Sequence, residues 1–384
     1  MTRTSASPTT VPAFELITEP KALTKLTAHL APTKVLALDT EASSFHRYKE
    51  RVCLIQLSDR DHTWLVDPLL VENLDDLGKL LADPAMEIVI HDADYDLRIL
   101  AKHHKIRVSN IFDTLVAAEL VNEPEIGLAA LLKKYKGLQI DKKFQKADWS
   151  KRPLPQDMLD YAAGDTSDLI ELRDILKEEL IAKGRWAWAE EEFALLTDMP
   201  FNAPTKGEPA FIRMKGAKTL KPVQLAVLRE VHAWREKVAE RMDRAPFMVV
   251  GNTTLLAIAV QPPSSMKELA KVAGMGDRVM ERYGKAIMDA IVKGQAVPKD
   301  EWPRVERPKR YPRDDDHEER LKRLKVVREK LMVDHDLKPG IIGANQLLAD
   351  IARTLPGDLE ALAALPGIRN YQVANFGSEL LKAL

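Results

Sequence analysis

The second half of the chain repeats itself. A gap-free shift of 93 positions lays Arg235-Glu236-Lys237 on Arg328-Glu329-Lys330, Pro246 on Pro339, Asn252 on Asn345, and Leu255, Ile258 and Ala259 on Leu348, Ile351 and Ala352. Further along, Leu269, Gly274, Tyr283, Gly284, Ile287 and Ile291 fall on Leu362, Gly367, Phe376, Gly377, Leu380 and Leu384. One offset held across core-type positions, at a period too long for a solenoid, predicts duplicated domains. Strand signals nearly vanish after residue 200, so each copy is expected to be an all-α bundle. In the first copy Val223–Arg241 reads as a long amphipathic helix, Asn252 as the cap of a helix starting at Thr253, and Ser265-Met266-Lys267-Glu268 as a capping box. Gly274 and Gly276 supply a turn, and Arg278–Ile291 closes the bundle.

The first half has a different grammar. Val35–Leu38, Val52–Leu57, Trp64–Val66 and Ile88–Ile90 are short apolar runs bounded by charged or turn residues, as buried strands are. Helical stretches follow at Leu74–Leu81, Tyr95–Lys102, Thr114–Val121 and Leu128–Tyr135, with one long helix from Gln156 to Ala182. Strands followed by helices predict an α/β domain whose mixed sheet is flanked by helices. The expected organisation is a loose tail at 1–12, the α/β domain at 13–200, a linker at 201–218 and a first helical domain at 219–294. A charged, proline-containing linker at 295–317 and a second helical domain at 318–384 complete it.

Composition narrows the chemistry. The 384 residues contain one cysteine, Cys53, so neither an intrachain disulfide nor a thiolate zinc site can form. No apolar stretch approaches the ~20 residues of a membrane span, and the N-terminus lacks the apolar core of a signal peptide, so a cytoplasmic protein is expected. The formal net charge of −1 hides an asymmetry: residues 1–200 carry −9 and residues 201–384 carry +8. An acidic half with clustered carboxylates suits divalent cations, and a basic half suits a polyanion.

The acids occur at strand ends. Val35–Leu38 runs into Asp39-Thr40-Glu41, and residues i and i+2 of a strand share a face. Ile88–Ile90 ends in His91, with Asp92, Asp94 and Asp96 in the helix start that follows. Tyr161 and Asp165 are one turn apart on the long helix. Each group alone is explicable as a solvated strand end or a helix N-terminus that tolerates acids. Together, in one α/β segment, they suit hard cations such as Mg²⁺ or Mn²⁺, which take oxygen ligands. Two such ions ~4 Å apart can activate a water and neutralise both the attacking and the leaving oxygen of a phosphodiester. Tyr161, with a reference pKa near 10, would orient the water rather than deprotonate it.

Leu38-Asp39-Thr40-Glu41, His91 through Asp96, Phe112-Asp113-Thr114 and Tyr161 through Asp165 resemble the ordered motifs of the tyrosine-bearing branch of the DEDD exonuclease superfamily. The duplicated module resembles the HRDC domain shared by RecQ-type helicases and ribonuclease D. From about residue 13 to 384 the chain resembles the ribonuclease D family. The resemblance implies a ribonuclease H-like sheet and hydrolytic removal of nucleotides from RNA 3′ ends as 5′-monophosphates, in maturation of tRNA precursors and other stable RNAs. It further implies two Mg²⁺ or Mn²⁺ ions held by Asp39, Glu41, Asp96 and Asp165. Asp39 would bridge the two ions, and Tyr161 would orient the nucleophile. Thr40 and His91 would contact substrate. The family more often has a small residue where this chain has Asp92. That acid either disfavours phosphate or faces solvent.

Residues 133–152 hold eight cations, among them Lys142, Lys143 and Lys146, with Phe144 and Trp149 interleaved. The stretch is either a grip for single-stranded RNA or a solvated basic loop whose aromatics pack on the core. The helical modules and the Arg-rich segment 304–313 would extend the grip to structured RNA. No obligate protein partner and no membrane are expected. A DNA exonuclease and a nucleic-acid-binding scaffold with an inactive nuclease domain are the alternatives.

Overall fold

The computed structural model describes residues 12–198, 208–305 and 314–384. Residues 1–11 of the expected tail, the 201–207 part of the first linker and most of the Arg-rich segment lie outside them. The N-terminal region contains β1 (Phe14–Ile17), α1 (Pro20–Leu30), β2 (Val35–Ala42), β3 (Val52–Ser58), β4 (Thr63–Val66), α2 (Pro68–Val71), α3 (Asp75–Leu81) and β5 (Glu87–Ile90). It continues with α4 (Ala93–His104), β6 (Ile111–Asp113), α5 (Thr114–Leu120), α6 (Leu128–Lys136), α7 (Gln156–Thr166), α8 (Leu169–Ala182) and α9 (Trp186–Thr197).

The six strands form one mixed sheet in the order β1-β4-β3-β2-β5-β6, with β2–β3 and β3–β4 antiparallel and the remaining pairs parallel. Period-two alternation sends neighbouring residues to opposite cores. Leu36, Leu38, Ile88 and Ile90 meet residues of α1, α3 and α4, whereas Ala37 and Val89 meet α5, α8 and α9. A sheet covered on both faces needs strands without polar alternation, and all seven residues of β3 are buried. β1, interrupted by Glu15, and β6, whose three residues end in Asp113, escape sequence reading because neither offers the uninterrupted apolar run of three residues that marks β4 and β5.

One expected helix is two. Between Gln156 and Ala182 the chain breaks at Ser167-Asp168, residue types that bond the backbone outside helices. Buried Thr166 is tied to Ser58 of β3 by a 2.7 Å hydroxyl contact, and the Asp168 carboxylate accepts from Lys136 Nζ at 2.5 Å. The break lets α7 lie on β3 and β4 while α8 lies on α5, β2 and β5.

After α10 (Ala210–Arg213) the first module comprises α11 (Pro222–Met242), α12 (Pro246–Val249), α13 (Asn252–Val260), α14 (Met266–Leu269) and α15 (Asp277–Gln295). The second comprises α16 (Asp315–His335), α17 (Pro339–Ile342), α18 (Asn345–Thr354), α19 (Leu359–Ala363) and α20 (Asn370–Lys382), each beginning 93 residues after its counterpart. Asn252 does not cap α13. Gly251 is the residue before that helix, and Asn252 Oδ1 accepts from Arg235 Nη1 at 2.5 Å, with Val250 O accepting from the same nitrogen at 3.3 Å. The second module repeats the lock: Arg328 Nη1 donates to Gly343 O and Asn345 Oδ1 at 2.9 and 3.0 Å. Gly274 has φ +89, and a Cβ there would lie 2.2 Å from Thr254 Oγ1, so the turn admits only glycine. The Ser265 cap forms, its hydroxyl accepting from Glu268 N at 3.3 Å. Asp314–Asp316, expected in the second linker, instead start α16: Asp314 accepts from His317 N at 2.9 Å, and Asp315 and Asp316 favour the positive end of the helix dipole.

The modules are seated differently. The second shares one continuous core with α5, α8 and α9, while the first has its own core, which Tyr48 of the α/β domain joins.

Candidate active site

Strand β2 carries Asp39 and Glu41 to one face, and α7, crossing β3 and β4, brings Asp165 to them. Carboxylate oxygens of these three residues all lie within 4.8 Å of one another. Thr40, between the two acids, points to the opposite face, where its hydroxyl makes a short hydrogen bond to Asp96 Oδ1. Asp96 is therefore buried behind the cluster. Its charge still reaches Asp39 and Glu41.

Acids packed this closely resist ionisation. Burial, and then the charges of Asp39, Asp165 and Asp96, push Glu41 up to about 10. Burial raises Asp39 to about 7 against the opposing backbone hydrogen bond from Thr40. Asp96 and Asp165 are likewise held well above the usual carboxylate range, burial first and Asp39 second. Tyr161 keeps its proton because of burial and the neighbouring Asp165 and Glu41, and it hydrogen-bonds Asp165. A divalent cation removes this mutual repulsion, so the residues present fit such an ion.

Asp39, Thr40, Glu41, Tyr161 and Asp165 line a cleft of about 640 Å³, together with Phe45, His91, Asp92, Tyr95 and Lys142. His91 Nδ1 lies 2.9 Å from Thr114 Oγ1, whose single proton goes to Ile90 O at 3.3 Å. The proton of the pair must then sit on Nδ1, which leaves Nε2 as an acceptor. Burial lowers His91 to about 4, so the ring is neutral at physiological pH. Asp92 is exposed at the cleft edge, with left-handed φ 63.

The basic stretch divides. Lys142 lines the cleft, but Lys143 pairs with Asp157 at 3.2 Å and Phe144 packs edge-on against Tyr161 at 5.8 Å. Lys146 is exposed outside the cleft lining. Trp149 is 1% exposed and belongs to the core, and Arg152 is bidentate to Asp67 at 2.5 and 2.8 Å, so neither can meet a base or phosphate. Lys134 and Lys136 are held in ion pairs with Glu123, Asp168 and Glu171.

Sequence reading missed Gln56, whose Nε2 donates to Asp39 Oδ2 at 3.2 Å. It is the lone polar residue of its apolar run and sits opposite Asp39 in the β2–β3 register, a signal visible only once that pairing is known. Phe45 and Tyr95, exposed aromatics of the cleft, carry no sequence signal.

A helix-flanked mixed sheet with acids gathered at the end of its central strand defines a 3′→5′ exonuclease, and residues 14–181 match the family described as 3′-5′ exonuclease. Residues 224–291 and 317–384 match the HRDC domain. Ribonuclease D of Gluconacetobacter diazotrophicus is 31% identical over 369 residues, covering 95% of this chain and 91% of that one. The chain belongs to the ribonuclease D family, whose activity is hydrolytic 3′→5′ exoribonuclease action. The fold is shared with the crystal structure of Escherichia coli RNase D, at TM-score 0.72 and 24% identity over 97% of this chain and 98% of that one. A protein from Bifidobacterium adolescentis superposes at TM-score 0.83, also at 24% identity, with 97% of each chain covered. The substrate is accordingly RNA, and the acidic cluster of this fold suits divalent metal. No described helix is long and apolar enough to cross a membrane.

Proposed function

We propose that this exoribonuclease acts with two divalent ions, Mg²⁺ or Mn²⁺, on RNAs with single-stranded 3′ ends such as tRNA precursors, in the cytoplasm and without an obligate protein partner. Asp39, Glu41 and Asp165 would hold one ion and Asp39 the second, which Asp96, behind Thr40, would support directly or through water. The observation that carries this reading is the convergence of three carboxylates within 4.8 Å, in a recess that burial and like charge make unfavourable for anions. Ions bound there supply Lewis acidity toward the scissile phosphate and lower the pKa of water. The structured-RNA substrate is supported by the E. coli relative, described as an exoribonuclease involved in structured RNA processing.

The chain's own residues orient the reaction. Water adds to the phosphorus of the terminal nucleotide, the P–O3′ bond to its neighbour breaks, and that O3′ takes up a proton, releasing a 5′-monophosphate. Tyr161 holds its proton too tightly to act as a base, so its hydroxyl, anchored on Asp165, orients the nucleophile. Gln56 steadies Asp39. His91 Nε2 offers an acceptor to a substrate hydroxyl, and Lys142 offers a cation to phosphate.

RNA labelled at either end, degraded with and without EDTA, tests the reading. The 3′ label is expected to appear at once as mononucleotide, the 5′ label to shorten stepwise, and EDTA to stop both. Asp39→Asn and Asp165→Asn are expected to lose activity by at least ~10³-fold while binding RNA. Normal trimming by either variant in Mg²⁺ sinks the site assignment.

A further inference from the structure

Between α6 and α7, residues 137–155 contain no helix or strand, and only isolated turns tie their backbone together. Side chains hold the stretch instead. Lys143 pairs with Asp157 in the first turn of α7 at 3.2 Å, and its ammonium lies 4.5 Å from the centre of the Phe144 ring. On the other flank stands the loop 43–51 that continues from Glu41. His46 Nε2 donates to Lys146 O at 2.8 Å, and Arg47 donates to Ser150 Oγ at 2.7 Å and to Asp148 Oδ2 at 3.4 Å. The stretch is thus pinned between the helix that carries Tyr161 and Asp165 and the loop leaving the strand that carries Asp39 and Glu41.

Pinned there, its two aromatics converge on one side chain. Phe144 meets the Tyr161 ring edge to face, with centroids 5.8 Å apart and 73° between the planes, and buried Trp149 lies against the same ring at 6.2 Å and 37°. Both are geometries that aromatic pairs favour. The hydrogen bond to Asp165 fixes only the tip of the phenol, so the plane of the ring is set by what packs on it. A lean of ~10° about Cβ moves the hydroxyl by ~1 Å, a displacement that can cost ~10²-fold in rate. Lys142 and Gln145, on either side of Phe144 in the same turn, line the cleft. The face that meets substrate and the ring that holds Tyr161 therefore belong to one short piece of chain.

We propose that Phe144 is a positioning residue for Tyr161, and that the aromatics of this basic stretch serve the reaction by setting the plane of the phenol rather than by stacking on RNA bases. The proposal rests on the role given to Tyr161 above, and the test separates the two.

Full-length Phe144→Ala, Phe144→Tyr, Tyr161→Phe and the double variant Phe144→Ala with Tyr161→Phe are compared with wild type on an unstructured RNA in saturating Mg²⁺. Phe144→Ala is expected to lower kcat ~10-fold with KM within about twofold, and Phe144→Tyr, which keeps the ring edge, to restore kcat to within about twofold of wild type. Tyr161→Phe keeps its ring but has no hydroxyl to aim, so in that background Phe144→Ala should lower kcat by less than ~2-fold further. If Phe144→Ala melts below the assay temperature, Phe144→Leu carries the same comparison, with ~3-fold expected in place of ~10-fold. An unchanged kcat overturns the proposal. So does an equal fold loss in both backgrounds, which would make Phe144 a general support of the cleft. A rise in KM at constant kcat overturns it as well, since that is the mark of a ring that grips RNA. A Tyr161→Phe variant with wild-type kcat removes the role given to Tyr161 and this proposal with it, whereas a slow Tyr161→Phe beside a normal Phe144→Ala overturns this proposal alone.

Discussion

At the scale of single residues, the active site is a store of unfavourable charge. Asp39 at about 7 and Glu41 at about 10 lie above the unfolded carboxylate range near 4, so the folded chain holds protons that the unfolded chain has released. Without metal, their contribution to stability is intact below about pH 4 and is lost as pH climbs through 7 and toward 10. In EDTA the melting temperature should therefore fall between pH 5 and pH 9, and Mn²⁺ or Mg²⁺ should restore it most at the alkaline end, with proton release on binding. Asp39→Asn with Glu41→Gln should flatten the EDTA profile. A metal-induced rise in Tm equal at pH 5 and pH 9 contradicts this account. Asp39, Glu41, Tyr161 and Asp165 were legible in the sequence because strand and helix periods alone put each pair on one face. Gln56 was not, since its role depends on pairing between strands. Asn252 misled: polar and just ahead of an apolar run, it looked like a cap, but a buried arginine 17 residues earlier claims its side chain.

Among elements, one carboxylate holds two helices in place. Asp113, at the end of β6, is 2% exposed and accepts from Asp92 N and Ala93 N at the start of α4 (3.1 and 2.8 Å) and from Leu115 N and Val116 N of α5 (2.8 and 3.4 Å). Four otherwise unpaired N–H groups are satisfied at once. Helix α4 carries Asp96 in its first turn, so the cap fixes that acid relative to β2. Asp113→Ala should cost ~2–3 kcal/mol in urea unfolding, more than a single cap. It should also lower kcat at temperatures where the variant remains folded. A change below ~0.5 kcal/mol would remove Asp113 from this role. The motif Phe112-Asp113-Thr114 was visible in the sequence, whereas its work across elements was not, because two of the four backbone groups it serves lie some twenty positions upstream. The break between α7 and α8 stayed hidden for the converse reason: apolar spacing continues across Ser167-Asp168, and only contact with β3 shows that the chain must turn.

For the whole molecule, the repeat announced two modules but not their unequal attachment, because identical cores say nothing about outer faces. The second module is continuous with the catalytic domain through α9. Trp188 lies between Tyr371 and Phe376, at 4.9 and 5.8 Å between centroids. Buried Arg185 donates to Leu120 O and His335 O at 2.6 Å each. Glu192 accepts from Arg369 Nε and Nη2 at 2.9 and 3.1 Å, and Glu191 accepts from Asn370 N and Tyr371 N at the start of α20. The second module's docking face is thus occupied, whereas the first module keeps a core of its own. Truncation after residue 313 should uncover Trp188 and give an aggregating or markedly less stable protein. Trp188→Ala, which keeps the chain whole, should cost ~3–5 kcal/mol. Because α9 belongs to both bodies, the loss should appear in a single calorimetric transition that contains the catalytic domain and the second module. The transition of the first module, which has its own core, should barely move. A soluble, monomeric truncation with wild-type Tm would mean that the apolar contact at α9 contributes no cohesion, and the second module would then be a tethered appendage rather than part of the catalytic body.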